Sequence, residues 1–431
     1  MKMNGREAAL QALIACRKDG AWSEGALKEL LTDCSRKDAA LASRLCYGVL
    51  QNRMLLDFWI DSFAKGKLQP VVRDILRLGV YQLRFTDKIP DSAAVNEAVE
   101  QTKRHANVQA ARLVNGVLRA MLREEKWPEP MDLSTKYSHP RPLTELLAAQ
   151  YGTEKVERLL ESHNAAPKTV LQVNALKAST EQVRDSIIAQ GGEAEIHPWL
   201  ENCLIVSGAG NLEGLSAYQM GWIYAQDTAA KLAVEAAGLE PGMRVLDCCA
   251  APGGKSFAAA IAMENRGELI SCDIHEHKLR LIEKGAQRLG LSILKTRLQD
   301  ASQRVFQWKG SMDAVLADVP CSGIGVIRKK PDIRYKDLSQ RSGLVKLQRE
   351  ILSQQAEYVR PGGVLLYSTC TILREENEDA AEAFLKEHSE FSLEEVCFPA
   401  NSGISSAAMT TLLPCDHDTD GFFICKFRRK P

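Results

Sequence analysis

The sequence predicts a multidomain fold: an all-α front, a small α+β module, and a doubly wound α/β domain with a mainly parallel sheet. Three observations predict it. At 431 residues the chain is too long for one ordinary domain and long enough for several, each burying its own core. Apolar residues in its first third recur at helical spacing. From about residue 226 short apolar runs, MRVLDCCA, GELISCD, MDAVLAD and GGVLLYST, alternate with amphipathic stretches, the pattern of a parallel sheet covered by helices. The divisions fall near 140 and 225, giving segments 1-140, 141-225 and 226-431.

In the front, Val72, Ile75, Leu76, Gly79, Val80 and Leu83 form one apolar stripe of a helix. Val114, Val117, Leu118, Met121 and Leu122 form another, with Arg112, Arg119 and Arg123 off it. Asp91 and Ser92 after Pro90 supply a helix start; Trp127, Pro128 and Pro130 supply a stop. The middle segment reads as a helix ending at Gly152, a strand TVLQVNAL, a helix capped at Ser179 and closed by Gly191 and Gly192, and a strand NCLIVSG. The small polar stretch PANSGISSAAMT, 399–410, reads as a loop.

No apolar run approaches the roughly 20 residues that span a bilayer, and the opening MKMNGREAALQALIACRKDG is charged without a continuous apolar core, so a cytoplasmic protein is expected. Its twelve cysteines are therefore expected to be reduced. No C-x-x-C occurs, and the histidines near Cys272 lack partners at zinc spacing, so no metal is expected. The net charge is zero but uneven: residues 1–140 carry 22 Lys and Arg against 17 Asp and Glu. A basic front fits an arm that holds a polyanion, and fits ordinary solvated helix faces equally well.

Ligands of open parallel sheets sit beyond the carboxyl ends of the strands. Asp247 ends the first run and is followed by CCAAPGGK, where Pro252, Gly253 and Gly254 allow a tight loop before a helix beginning at about Ser256. Asp273 ends the second run, where a nucleotide-binding fold places the acid that accepts ribose hydroxyls. Asp300 follows the third run and Asp318 the fourth. One such aspartate ordinarily caps a helix; four at corresponding ends make a row of carboxylates. Neither G-x-G-x-x-G nor a P-loop is present, which disfavours dinucleotide and phosphoryl chemistry. A cofactor with an adenosine and a cationic centre suits the row better, and S-adenosylmethionine is the candidate.

The stretches LDCCAAPGGK, DVPCSGIGVIRKKPDIRY and YSTCTILREENE resemble the successive motifs of RNA cytosine-C5 methyltransferases, over roughly residues 220–431. With a front similar in texture to NusB, including Val114 to Arg119, the chain resembles the RsmB (Sun/Fmu) branch. The resemblance implies a NusB-like RNA-binding domain, an RNA-recognition module and a Rossmann-like class I catalytic domain acting on 16S ribosomal RNA, undermodified or partly assembled, as a monomer. It implies Cys370 as the nucleophile, Cys321 as the residue assisting release, and Asp318 on the amidine edge of the cytosine. It also implies cofactor contacts from Cys249, Ala250, Ala251, Pro252, Gly253, Gly254 and Lys255, and from Asp273, Asp300 and Asp318. Two cysteines suit this chemistry: carbon 5 of cytosine is a poor nucleophile until a thiolate adds to carbon 6, and that thiol must later be expelled. Cys248, Cys272 and Cys425 read as buried hydrophobes. Val319 stands where Ala is usual and Gln172 where relatives carry Arg, which puts a phosphate contact there in doubt; the basic loop RKKPD would face RNA or simply solvent. The competing readings are a non-catalytic RNA-binding or ribosome-assembly factor, and a methyltransferase with another substrate.

Overall fold

The structure is a computed structural model describing residues 3–431, and it divides into two compact units. The first holds the chain up to Asn164 together with Lys330–Lys336. Its helices are α1 (Gly5–Asp19), α2 (Ser23–Leu31), α3 (Arg36–Gln51), α4 (Arg53–Phe63), α5 (Pro70–Phe85), α6 (Asp91–His105), α7 (Val108–Arg123), α8 (Leu133–Lys136), α9 (Arg141–Tyr151) and α10 (Thr153–Ser162). Short polar side chains set several starts. Asn4 accepts from the amide of Arg6, Ser35 from that of Asp38 and Asn107 from that of Ala110, each satisfying an amide that no helical carbonyl can reach.

The two predicted stripes pack on each other. Val72, Ile75, Leu76, Val80, Val114, Val117, Leu118 and Met121 are all buried, and a Cβ on Gly79 would lie 2.9 Å from a Leu118 methyl, so glycine there lets α5 and α7 approach. Leu122 departs from the prediction and is exposed. At 100° per residue it lies roughly 80° round the helix from Val114, on the flank of the stripe. α6 begins at Asp91 as predicted, but Pro90 holds the cap position and no side chain caps the helix.

The second unit, Ala165–Lys329 with Asp337–Pro431, contains two sheets. The smaller is antiparallel, in the order β2 (Glu193–Ile196), β3 (Cys203–Ser207), β1 (Thr169–Val173), β4 (Ile223–Ala225). It is covered by α11 (Thr180–Ala189), whose start is a reciprocal box between Ser179 and Gln182, and followed by α12 (Ser216–Gln219). Gln172 is buried in β1 and donates to Cys203 and to the carbonyl of Gln226, so it offers no phosphate contact.

The larger sheet alternates with α13 (Thr228–Ala236), α14 (Gly254–Ala262), α15 (Glu276–Leu289), α16 (Arg341–Ala356), α17 (Glu378–Glu387) and α18 (Pro414–His417). Its strands are β5 (Arg244–Asp247), β6 (Glu268–Asp273), β7 (Leu294–Leu298), β8 (Met312–Asp318), β9 (Val359–Thr369), β10 (Phe391–Leu393), β11 (Met409–Leu412) and β12 (Phe422–Arg429). They lie in the order β10-β12-β9-β8-β5-β6-β7, with β11 also on β12. Strands β5 to β9 pair in parallel, and β12 returns antiparallel against β9. The fold is therefore a helical bundle, a small α+β module and a Rossmann-like domain. β11 begins at Met409, so the last two residues of the stretch predicted as loop are its first two.

From β5 the chain builds outward through β6 and β7, then crosses to the other side for β8 and β9. The order reverses between β5 and β8, so a crevice opens beyond their carboxyl ends. Among the described residues no helix is long and apolar enough to cross a membrane.

Candidate functional site

Asp247 ends β5 and Asp318 ends β8 on the two sides of that crevice. Between them runs the loop Cys249 to Lys255. The amide of Cys248 bonds the carbonyl of Leu316 and the amide of Ala250 that of Cys272, which fixes the loop to the strands beside β5. Gly253 adopts a φ of +108°, open only to glycine, and a Cβ there would strike the Phe257 ring at 2.7 Å. α14 starts at once, at Gly254, two residues before the predicted start.

The loop borders a cavity of about 690 Å³, lined among others by Asp247, Cys249 to Pro252, Gly254, Lys255, Asp318 and Gln226. Two features suit it to a polar, cationic ligand. The Oδ1 of fully buried Asp247 has no partner, its other oxygen accepting from Ser256 at 2.7 Å. Both polar atoms of the Gln226 amide are likewise buried without a partner. Burial pushes the Asp247 carboxyl up to about 6, with Ser256 and Lys255 opposing. An adenosine-bearing sulfonium fits: two carboxylates face a positive centre, and a glycine-rich loop admits a close backbone approach.

Asp273 and Asp300 are not among the residues lining this cavity. Asp273, mostly buried at the end of β6, accepts from the amide of His275. Asp300 is exposed and accepts the amide and hydroxyl of Ser302, the behaviour of an ordinary turn cap.

Asp318 is held from two sides. Lys255 Nζ lies 2.6 Å from one oxygen and Ser368 Oγ donates to the other at 2.8 Å. Burial opposes the charge of Lys255, but Asp318 and Asp247 outweigh it and hold the ammonium above its ordinary range. Parallel pairing sets Asp318 opposite Ser368, so the chain after β8 and the chain after β9 leave the sheet side by side. Cys321 and Cys370 stand on these neighbouring segments with sulfurs 3.2 Å apart. Hydrogen bonding from Cys321 holds the Cys370 thiol below its usual range, against burial and Asp318 and with help from Lys255. The same bond, burial and the charges of Cys370 and Glu376 push Cys321 well up. Of the two thiols, Cys370 is therefore the more readily ionised.

The sequence reading assigned no role to the groups that brace these segments. Glu376, fully buried, accepts from the amide of Ser322 and from Gln348, each at 2.9 Å, and Gln348 also bonds the carbonyl of Pro320. Asn377 accepts from Thr369 and donates to the carbonyl of Thr371, spanning Cys370. Both belong to the quoted stretch REENE, whose position after the second cysteine was the available signal. The RKKPD loop differs from expectation. Arg328 is buried against Asp418 and Asp420, and Lys329 bridges Asp227 and Asp420, so these two cations neutralise acids rather than facing RNA. Cys248, Cys272 and Cys425 are buried, and burial raises each thiol; at Cys248 a hydrogen bond to Cys249 raises it further. Among the described residues no group of His, Cys, Asp and Glu is arranged to hold a metal.

Comparison with known proteins agrees with this architecture. The family model for 16S rRNA methyltransferase RsmB/F matches residues 236–428. The NusB family matches 3–123, and the ferredoxin-like domain of RsmF/B-like methyltransferases matches 139–213. The probable ribosomal RNA small subunit methyltransferase B of Bacillus subtilis strain 168 is 37% identical over 445 residues, covering 100% of this chain and 99% of its own. The crystal structure of PH0851 superposes with a TM-score of 0.82 at 26% identity over 100% of both chains. That of NSun6 from Pyrococcus horikoshii with SFG gives 0.60 at 22% identity over 68% of this chain and 98% of its own, a likeness of fold.

Proposed function

The chain belongs to the RsmB/F family of S-adenosylmethionine-dependent 16S rRNA methyltransferases, and from that membership we propose that it methylates carbon 5 of a cytosine in small-subunit rRNA through a covalent cysteine adduct. The observation that carries this reading is the Cys321–Cys370 pair, two sulfurs 3.2 Å apart on the segments that leave β8 and β9 side by side. The thiolate of Cys370 adds to carbon 6, and the electron pair moves towards carbon 5. Asp318, already held by Lys255 and Ser368, accepts from the amidine edge and favours protonation of the ring as the adduct forms. Bound S-adenosylmethionine supplies an electrophilic methyl group on its sulfonium. Cys321 then assists release: the carbon 5 proton passes to solvent water, its bonding pair re-forms the carbon 5–carbon 6 double bond, Cys370 departs as thiolate, and the ring gives up the proton it gained as the adduct formed. Cofactor contacts are assigned to Cys249 to Lys255 and Asp318, and, although neither lines the cavity, to Asp273 and Asp300 at the ends of the next two strands.

Residues 1-140 are proposed to bind RNA, 141-225 to aid recognition and 226-431 to catalyse. The proposed substrate is an undermodified or partly assembled small subunit with its target base turned out of the stack, and the proposed working form is a monomer. Wild type, Cys370→Ala and Cys321→Ala incubated with labelled S-adenosylmethionine and unmodified small-subunit rRNA test the reading. The expected result is no transfer and no adduct for Cys370→Ala, and a denaturation-resistant protein–RNA adduct accumulating for Cys321→Ala. The reverse pattern would make Cys321 the nucleophile. No transfer by wild type to naked RNA or particle would leave an assembly factor.

A further inference from the structure

A second cavity, of about 400 Å³, lies wholly in the first unit, between the turn joining α1 to α2, the end of α3, and the segment Lys330–Lys336. Gly20, at a φ of +62°, ends α1, and the turn that follows presents Trp22, 49% exposed, at the rim. Tyr335 forms part of the wall. The Arg53 guanidinium lies 3.5 Å from the Tyr335 ring centroid and pairs with no carboxylate among the described residues, so its donors remain available. Lys336 Nζ stands 4.8 Å from the Trp22 ring. The acids of the wall are engaged: Asp74 by Arg17 and Arg77, and Asp332 by the amide and hydroxyl of Ser23.

We propose that this cavity binds one unpaired nucleotide of the RNA substrate, its base stacked on Trp22 and its phosphate held by Arg53. The inference rests on the reading of the chain as an rRNA methyltransferase and names a contact away from the reacting base. Stacking explains the exposed indole, which a phosphate alone would not use. An aromatic face beside cations is the pattern by which proteins hold single strands, since every base offers a π-face. Arg53 suits the phosphate because its planar fork can keep its contact with Tyr335 while its edge bonds two oxygens.

The test compares full-length wild type with Trp22→Ala, Trp22→Phe, Arg53→Ala and Arg53→Lys, each shown to keep the wild-type melting temperature within two degrees. Methyl transfer is measured against rRNA concentration, and binding by anisotropy of a labelled single-stranded oligoribonucleotide. The expected outcome is that Trp22→Ala and Arg53→Ala each raise KM and Kd for RNA about tenfold with kcat and cofactor affinity unchanged. Trp22→Phe restores most of the affinity, and Arg53→Lys restores less because it loses the planar fork. KM and Kd unchanged in both alanine variants of an active enzyme would overturn the proposal while leaving the catalytic reading intact. Inactive wild type whose oligonucleotide affinity still falls in both variants would uphold the cavity and remove the catalytic reading. Preference for a polyglutamate peptide over RNA would assign the cavity to an acidic protein segment and overturn the proposal.

Discussion

Asp247 illustrates how much one buried carboxylate costs when one of its oxygens has no partner in the fold. Burial pushes its pKa up to about 6, whereas an unfolded aspartate titrates near 4. Between those values the folded state keeps a proton that the unfolded chain has released, so stability falls as pH rises through the window, and the penalty is complete above it. Asp247→Asn should therefore be more stable than wild type by about 3 kcal/mol at pH 7 and nearly equal to it at pH 4, measured by urea unfolding at both pH values. An advantage that persists at pH 4 would mean that packing rather than ionisation sets the difference. The sequence made Asp247, Asp318, Cys321 and Cys370 legible because each follows an apolar run, and a parallel sheet gathers strand ends along one edge. Glu376 and Gln226 were not legible in the same way: what distinguishes them is unpartnered or bridging polar atoms, and those depend on what the fold brings against them.

Between elements, the two cysteine segments depend on a crossing that sequence periodicity does not reveal. The amide of Gly325 bonds the carbonyl of Cys370 at 3.0 Å, and the amide of Gly421, just before β12, bonds the carbonyl of Gly325 at 2.8 Å. A Cβ on Gly325 would lie 2.0 Å from the carbonyl oxygen of Gly421, and backbone cannot yield as a flexible side chain can. Gly325→Ala should force the segments apart, cost about 2 kcal/mol or more of stability, and lower the rate of adduct formation at least tenfold. Gly343→Ala, in α16 where a Cβ meets nothing within 4 Å, is the control that should lower neither. A Gly325→Ala protein with normal adduct formation would show that Cys370 does not need this clamp. The same limit explains β11. Its run Met409 to Leu412 shows no alternation of apolar and polar residues, and the strand exists because β12 offers it an antiparallel register from Met409 against Cys425 to Leu412 against Phe422.

At the scale of the whole molecule, the chain leaves the second unit at Lys329, gives seven residues to the first, and returns at Asp337. Those residues complete a helix far away in sequence. The last carbonyls of α3 have no helical donors; Arg334 Nη1 bonds that of Gln51 at 2.7 Å and the Tyr335 hydroxyl bonds that of Leu50 at 2.8 Å. Nη1 also reaches Asn164 Oδ1 at 2.9 Å and the carbonyl of Ser138 at 3.3 Å. A cation at a helix carboxyl end is favoured, yet burial draws the Arg334 pKa down to about 10, and its Nε and Nη2 have no partner. Arg334→Met sets these effects against each other. It relieves a desolvation cost of about 3 kcal/mol, taken from the lowered pKa, and strands three acceptors, only the Ser138 carbonyl of them fully buried, at about 1 to 2 kcal/mol each. The acceptors win, so the variant should lose about 1 to 3 kcal/mol, with faster amide exchange concentrated near Asn52, where α3 ends, and a Cys321–Cys370 pair that still reacts normally with an alkylating agent. A variant as stable as wild type would mean that desolvation cancels the whole network and that Tyr335 alone caps α3.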